Sequence, residues 1–439
     1  MNWPPVVLNV IKLKPSRWDE LSEVPVVLAF QSSKSVKVSH MRRSMLSVVI
    51  ALSATMVLAS CAMPADDPNF VEGEGVVGEE TVVDPQADPE FLASAFLAPT
   101  SIGVDVPLSA PPAAGSLIAS LSDGSEFDVL LNASMAEAAT AIGWDFTEVP
   151  GAETVDSAPA AFEEALALNP AGIRISGAYV DVLATQLADA EAAGVAVICT
   201  GCAGEPTGAI KDTSLDGDAQ NTLWGQVLAS YVFANQVAEE VAGVEIFTLP
   251  VSSLVTFNSA FTDSLANLCR DCSAIESELD TTDLSLVPTF VADTMSTSLG
   301  RWALLDSGEV SVDVPEALAE ALVLDPTVLI GRAASARDIT ALLDLAASGA
   351  VPPESGSTDI SPEAADALRA WTALPVPVMA WRVIDQFARV IAGDAPADGL
   401  LPSQLLTVTN VADAVLDENG NYLGIANYRE LFTELWGVK

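Results

Sequence analysis

Short β-rich apolar runs alternate with helix-length patterns from about residue 116 onward, and the alternation starts afresh after Asp216. This rhythm constrains the chain more than any other feature. The spacing predicts strands over 116–121, 144–149, 171–176 and 195–200, with helices over 134–142, 159–168 and 180–193. The second run predicts a helix over 223–241, a strand over 244–249, a helix over 257–268, strands over 274–279 and 327–330, and a helix over 336–347. Strands separated by helices of this length are joined by βαβ crossovers, so the sheets are parallel and covered on both faces. The expected fold class is α/β, with two Rossmann-like lobes joined by a hinge. Residues 285–325 fit the rhythm poorly and read as an insertion.

Ahead of the lobes, Met41-Arg-Arg-Ser opens an apolar run from Met45 to Ala59 that ends in Ser60-Cys61. A cationic start, a short apolar stretch and small residues at its end make an export signal, too short to span a bilayer as a stable helix. Leu58-Ala59-Ser60-Cys61 resembles the bacterial lipoprotein lipobox, which implies lipidation of Cys61 and an extracytoplasmic, membrane-anchored protein. An uncleaved anchor is the alternative, and it too exports the chain. Residues 1–40 are not signal-like, and Met41 is the expected start. The expected division is 1–60 as upstream extension plus signal (41–60) and 61–113 as a flexible acidic tether without Lys or Arg. Residues 114–215 with 378–403 form the first lobe, and 216–377 with 404–439 the second.

Charge and histidine usage remove whole classes of function. There are 18 Lys plus Arg against 60 Asp plus Glu, a net charge of −42, and phosphate backbones demand clustered cations. Nucleic acid is therefore excluded as a partner. The single histidine, His40, precedes the signal. Once the signal is removed, Ser-His-Asp and Cys-His catalysis and histidine-dependent zinc sites are gone. No enzyme is expected, and no cofactor or metal. Half of the residues are hydrophobic, so the acidic chain still builds a core.

Three motifs have competing readings. Gly73-Glu-Gly75-Val-Val-Gly78 matches the dinucleotide fingerprint, but no strand precedes it and the glutamates around it repel a pyrophosphate, so it reads as chance. Cys199-Thr-Gly-Cys202 and Cys269-Arg-Asp-Cys272 have zinc or redox spacing. Export and their placement in different lobes favour two local disulfides. Asp417-Glu-Asn-Gly-Asn421 alternates oxygen ligands as calcium loops do, with the glycine misplaced for one; an Asn-Gly hairpin turn accounts for it.

Several segments, taken in order, resemble the type I periplasmic substrate-binding proteins, the ribose-binding-like family of ABC importers. They are Met135 to Trp144, Ala165 to Ser176 with its Asn-Pro-Ala-Gly turn, Ala192 to Ile198, Val376 to Gly393 and Tyr428 to Gly437. The resemblance implies a cleft between the lobes that binds a small polar, sugar-like solute and delivers it, as a monomer, to ABC permease subunits. A sensor of the same fold that signals to a membrane receptor is the alternative. Carried over by position, the ligand-binding candidates are Ser122, Asp123, Phe127 and Asp128 after the first strand, Ser176, Thr200, Arg332, Asp359 and Trp381. Phe127 either stacks on the solute or packs under its loop, and Asp123 and Asp128 either bind or serve as cap and solvated charge. Arg332 either reaches the cleft or forms an ion pair, and Trp381 either lines the cleft or packs. Arg174 interrupts a strand buried on both faces and needs a partner, expected on a covering helix.

Overall fold

Where a sheet is covered on both faces, its central strands must be apolar along their whole length, and its edges are where polar residues are tolerated. The computed structural model describes residues 89–438, apart from 153, 237–241, 250, 281–282, 299, 309–310, 312, 322–325, 334 and 355–359. The strands are β1 (Leu117–Leu121), β2 (Asp145–Val149), β3 (Gly172–Ser176), β4 (Ala196–Thr200), β5 (Ile210–Asp212), β6 (Gly243–Thr248), β7 (Ser273–Glu278), β8 (Trp302–Leu305), β9 (Val328–Ala333), β10 (Ala370–Ala373) and β11 (Gln404–Thr407). The helices are α1 (Pro89–Ala95), α2 (Glu126–Ala141), α3 (Ala158–Ala167), α4 (Ala184–Ala193), α5 (Asp218–Asn235), α6 (Ser252–Leu268), α7 (Val287–Thr297), α8 (Val314–Glu320), α9 (Ala336–Ala347), α10 (Pro362–Ala367), α11 (Val376–Ala392) and α12 (Tyr428–Trp436).

Two sheets result, in the order β2-β1-β3-β4-β5 and β11-β10-β9-β8-β6-β7. All pairings are parallel except β10 with β11, which is antiparallel. Both sheets carry the same doubly wound order, reversing direction between β1 and β3 and again between β6 and β8. Central strands such as β4 and β8 are buried throughout, whereas the edge strands β2 and β7 expose Asp145, Glu148, Glu276 and Glu278. Proline in the first turn of α3, α7, α8, α10 and α11 starts those helices where the missing N–H is no loss.

Three expectations are corrected. Residues 285–325 are no insertion: they hold α7, β8 and α8, and β8 is a central strand between β6 and β9. A four-residue strand of sequence Trp-Ala-Leu-Leu is too short to show a period. The first helix begins at Glu126 rather than 134, because Ser125 caps it: its Oγ accepts the Asp128 N–H at 3.2 Å. Residues 89–113 are not a tether, since Phe91, Leu92 and Phe96 pack on the core of the second lobe and Ile102 and Val104 are buried in that of the first. Residues 61–88, with Cys61 and the glycine fingerprint, lie outside the described residues.

The C-terminal part is likewise shared between lobes. β11 joins the second sheet, but Tyr428, Phe432 and Trp436 of α12 are buried in the first core beside Trp381, so 404–439 does not belong wholly to the second lobe. The Asn-Gly segment forms a hairpin turn closed by the Leu416–Tyr422 bridge, with Asp417 Oδ1 accepting the N–H groups of Asn419 and Asn421. Among the described residues no helix is long and apolar enough to cross a membrane.

Candidate binding cleft

Loops leaving the carboxyl ends of both sheets face each other across a cleft of about 820 Å³, its open mouth included. Asp123 follows β1 and Ser176 ends β3; Leu249 follows β6 and Ser307 follows β8. These are the two switch points, where neighbouring connections leave in opposite directions and a crevice opens in α/β sheets. Both lobes thus present their switch point to one space.

The wall of the first lobe is built around Arg174. Its Nη1 donates to Asp128 Oδ1 at 2.7 Å and to the Leu121 carbonyl at 3.2 Å, while Nε and Nη2 donate to Thr200 Oγ1 at 3.0 and 2.8 Å. Arg174 and Asp128 are both almost wholly buried, and Asp128 sits in the first turn of α2, the covering helix on which a partner is required. Burial pushes the Asp128 carboxyl up, and Arg174 beside it pulls it part of the way back. Asp128 Oδ2 also accepts the Asp123 N–H, which ties the loop after β1 to the helix. A Cβ on Gly177 would lie 1.9 Å from the Gly201 carbonyl oxygen, so the turns after β3 and β4 meet backbone to backbone. Cys199 and Cys202, bonded as a disulfide, bracket Thr200 and Gly201. A second disulfide joins Cys269 and Cys272 away from the cleft.

Across the cleft, Arg332 Nη2 donates to both carboxylate oxygens of Asp216, at 2.6 and 2.7 Å, and its guanidinium lies 5.9 Å from the Phe257 ring centroid. Asp216 sits on the first crossing between lobes, at φ 55°, a left-handed conformation that aspartate tolerates better than most residues. Leu249, Val251, Leu254 and Leu374 supply an apolar surface.

The cleft therefore gathers Asp123, Phe127, Asp128, Ser176, Thr200 and Arg332 of the expected residues. Ser122 is not brought to its wall: the side chain turns inward, with Oγ accepting the Gly124 N–H at 3.2 Å. Trp381 is corrected as well. It stacks on Trp436 with ring centroids 5.3 Å apart and planes 4° from parallel, packed away from the cleft. Asp359 lies outside the described residues. Sequence reasoning missed Asp216, Leu249, Ser307 and Gly308; recognising β8 as a strand would have pointed to the last two, which follow its end.

Behind this wall Asp306 is fully buried, accepting from Leu249 N and Asn258 Nδ2. Burial pushes its carboxyl up to about 6, against the hydrogen bonds from Thr248, Asn258 and Leu249 and the attraction of Arg332. Asp338, also buried and accepting from Ser311 and Ser335, is likewise raised to about 6. A raised folded-state pKa means that the native protein holds more protons than the unfolded chain between about pH 4 and 6. Their contribution to stability is thus full below pH 4 and lost as pH rises through 6, at up to about 1.4 kcal/mol per pH unit for each group. The urea midpoint is expected to be higher at pH 5 than at pH 7, and Asp306→Asn to shrink the difference. Equal midpoints at the two pH values in the unaltered protein would contradict this assignment.

No protein-family model matches the chain, and no curated protein matches it. Solved structures do. An ABC transporter solute-binding protein from Mycobacterium smegmatis with bound glycerol matches with a TM-score of 0.54 at 15% identity, over 70% of this chain and 99% of that one. A solute-binding protein from Agrobacterium vitis with bound allitol gives a TM-score of 0.54 at 14% identity, over 68% and 97%. A periplasmic ribose ABC transporter protein from Conexibacter woesei gives 0.52 at 13% identity, over 70% and 96%.

Proposed function

Taking as premise the type I periplasmic binding protein fold that these likenesses establish, we propose that the protein is an extracytoplasmic solute-binding protein. It captures a small uncharged hydroxylated solute, of the sugar or polyol class, between its lobes and delivers it to an ABC importer. It catalyses no reaction, acts as a monomer and is held at the membrane by lipid on Cys61. The observation that carries this reading is the state of charge in the cleft. Arg174 and Arg332 each already hold an aspartate, so among the described lining residues no cation is left for an anionic solute. What remains are carboxylate, hydroxyl and backbone groups suited to hydroxyls, with Phe127 and aliphatic side chains for the apolar faces of a ring or chain.

The test is a thermal-shift screen of the chain from Ala62 to Lys439, which contains all of the described residues. Pentoses, hexoses, polyols, nucleosides, amino acids and sugar phosphates are compared. A bound solute at 100 times its Kd adds roughly 2.7 kcal/mol. Stabilisation by a neutral sugar or polyol is expected; stabilisation only by amino acids or phosphorylated compounds would overturn the reading.

A further inference from the structure

Residues 89–109 precede the first strand, yet they touch both lobes. On the second lobe, Phe91, Leu92, Ala95 and Phe96 pack against the core, and the Phe96 ring lies 6.3 Å from that of Tyr231. The Phe96 carbonyl accepts from Gln404 Nε2 at 2.7 Å and from Asn410 Nδ2 at 3.2 Å, so the chain is held at its backbone as well as by its rings. On the first lobe, Ile102 and Val104 are buried in the core, and the Val106 carbonyl accepts from Arg389 Nη2 at 2.6 Å. Leu108 N donates to the Leu435 carbonyl and Ser109 N to Asp394 Oδ2.

Between the two anchorages lies only the stretch 97–101, mostly exposed. Just past this stretch, at Gly103, the chain meets the connection 393–403, which runs from α11 back to β11. A Cβ on Gly103 would lie 2.0 Å from the Leu400 carbonyl oxygen, and one on Gly399 would lie 1.9 Å from that of Gly103. Strap and connection therefore touch backbone to backbone and have to move together. A chain fully extended spans at most about 3.5 Å per residue, so so short a stretch restricts how far its two ends can part.

We propose that residues 89–109 form an interlobe brace that limits the opening of the cleft. The proposal rests on the reading that the lobes move about the cleft, but not on which solute binds there. Motion beyond the slack of 97–101 must strip Phe91 and Phe96 from one lobe or Ile102 and Val104 from the other, exposing apolar surface to water. The brace thus keeps the solute-free protein nearer its binding geometry, and a larger binding-competent fraction raises apparent affinity.

The test lengthens the brace without removing either anchorage. About six Gly-Ser residues are inserted between Thr100 and Ser101 in the Ala62 to Lys439 chain, adding slack of up to roughly 20 Å. Spin labels on Val129→Cys in α2 and Thr340→Cys in α9, both exposed, report the distance between lobes in the absence of solute. These helices begin at Glu126 and Ala336, where Arg337 Nη2 meets Glu126 Oε1 across the cleft mouth at 3.0 Å. Expected is a distance distribution extended to longer values in the lengthened chain, with an unchanged melting temperature. A second variant, Phe96→Ala, which loosens the anchorage on the second lobe, is expected to broaden the distribution in the same direction. Distributions that superimpose with and without the insertion would overturn the proposal, even if Phe96→Ala broadens its own, since that would assign the effect to local packing. Because the measurement needs no solute, a blank solute screen leaves it interpretable.

Discussion

Replacing Arg174 by methionine is expected to destabilise the protein by roughly 3–5 kcal/mol at pH 7 and to abolish solute binding. The guanidinium is the hub of the first wall, and its removal leaves the Asp128 carboxylate buried and without its counter-charge, with Thr200 losing its donor. Leaving one charge of a buried pair alone is far worse than removing both. The Asp128 carboxyl, already raised by burial, would rise further, so the loss should be smaller at pH 5 than at pH 7. The combined change Arg174→Met with Asp128→Leu should recover a large part of the stability but none of the binding. Urea unfolding of the two variants measures this. A loss below about 1 kcal/mol for Arg174→Met would mean that water reaches the pair and screens it, against the burial of both side chains.

The second large effect concerns the core of the first lobe, where α11 packs against α2 and α12. Trp381→Ala is expected to lower stability by about 3–5 kcal/mol while leaving solute affinity unchanged among molecules that remain folded. Its indole sits between Tyr428, Phe432 and Trp436, with ring centroids 5.7, 5.9 and 5.3 Å away, and this cluster fastens α12 to the first lobe. Truncation opens a cavity among rings that cannot all collapse into it. Unfolding and binding measured on one preparation separate the two roles. A substantial loss of affinity with little loss of stability would restore Trp381 to the cleft.

The reason Trp381 was ambiguous in the sequence lies in its helix. Residues 376–389 of α11 are all buried, the polar stripe Arg382, Asp385, Gln386 and Arg389 included, so the pattern does not tell which face meets the cleft and which meets another helix. Ser122, Asp123, Phe127 and Asp128 all follow β1 within seven residues, yet they separate in space. Once Ser125 caps α2, Phe127 and Asp128 belong to a helical turn, and Ser122 is spent on the turn before it. Asp216 and Leu374 were invisible because they lie on connections between lobes, where neither strand nor helix periodicity applies. The segment 89–113 misled by composition: its prolines and acids resemble a tether, and the few spaced apolar residues that bind it to both cores decide otherwise.

What the sequence determined by itself is the local alphabet and its repetition. Apolar runs of strand length, separated by helices and repeated after Asp216, admit only parallel sheets covered on both sides, and the ends of those strands locate much of the cleft. The buried arginine in β3 demanded a carboxylate for the same local reason, the cost of an unpaired charge between two covered faces. Which partner each group takes was decided by tertiary structure alone. The placement of β8 at the centre of its sheet, the pairing of Arg332 with Asp216 and the capture of residues 89–109 by both lobes depend on contacts between segments far apart in the chain. Burial and pairing are properties of the assembled surface, and no periodicity along one segment encodes what another segment brings to meet it.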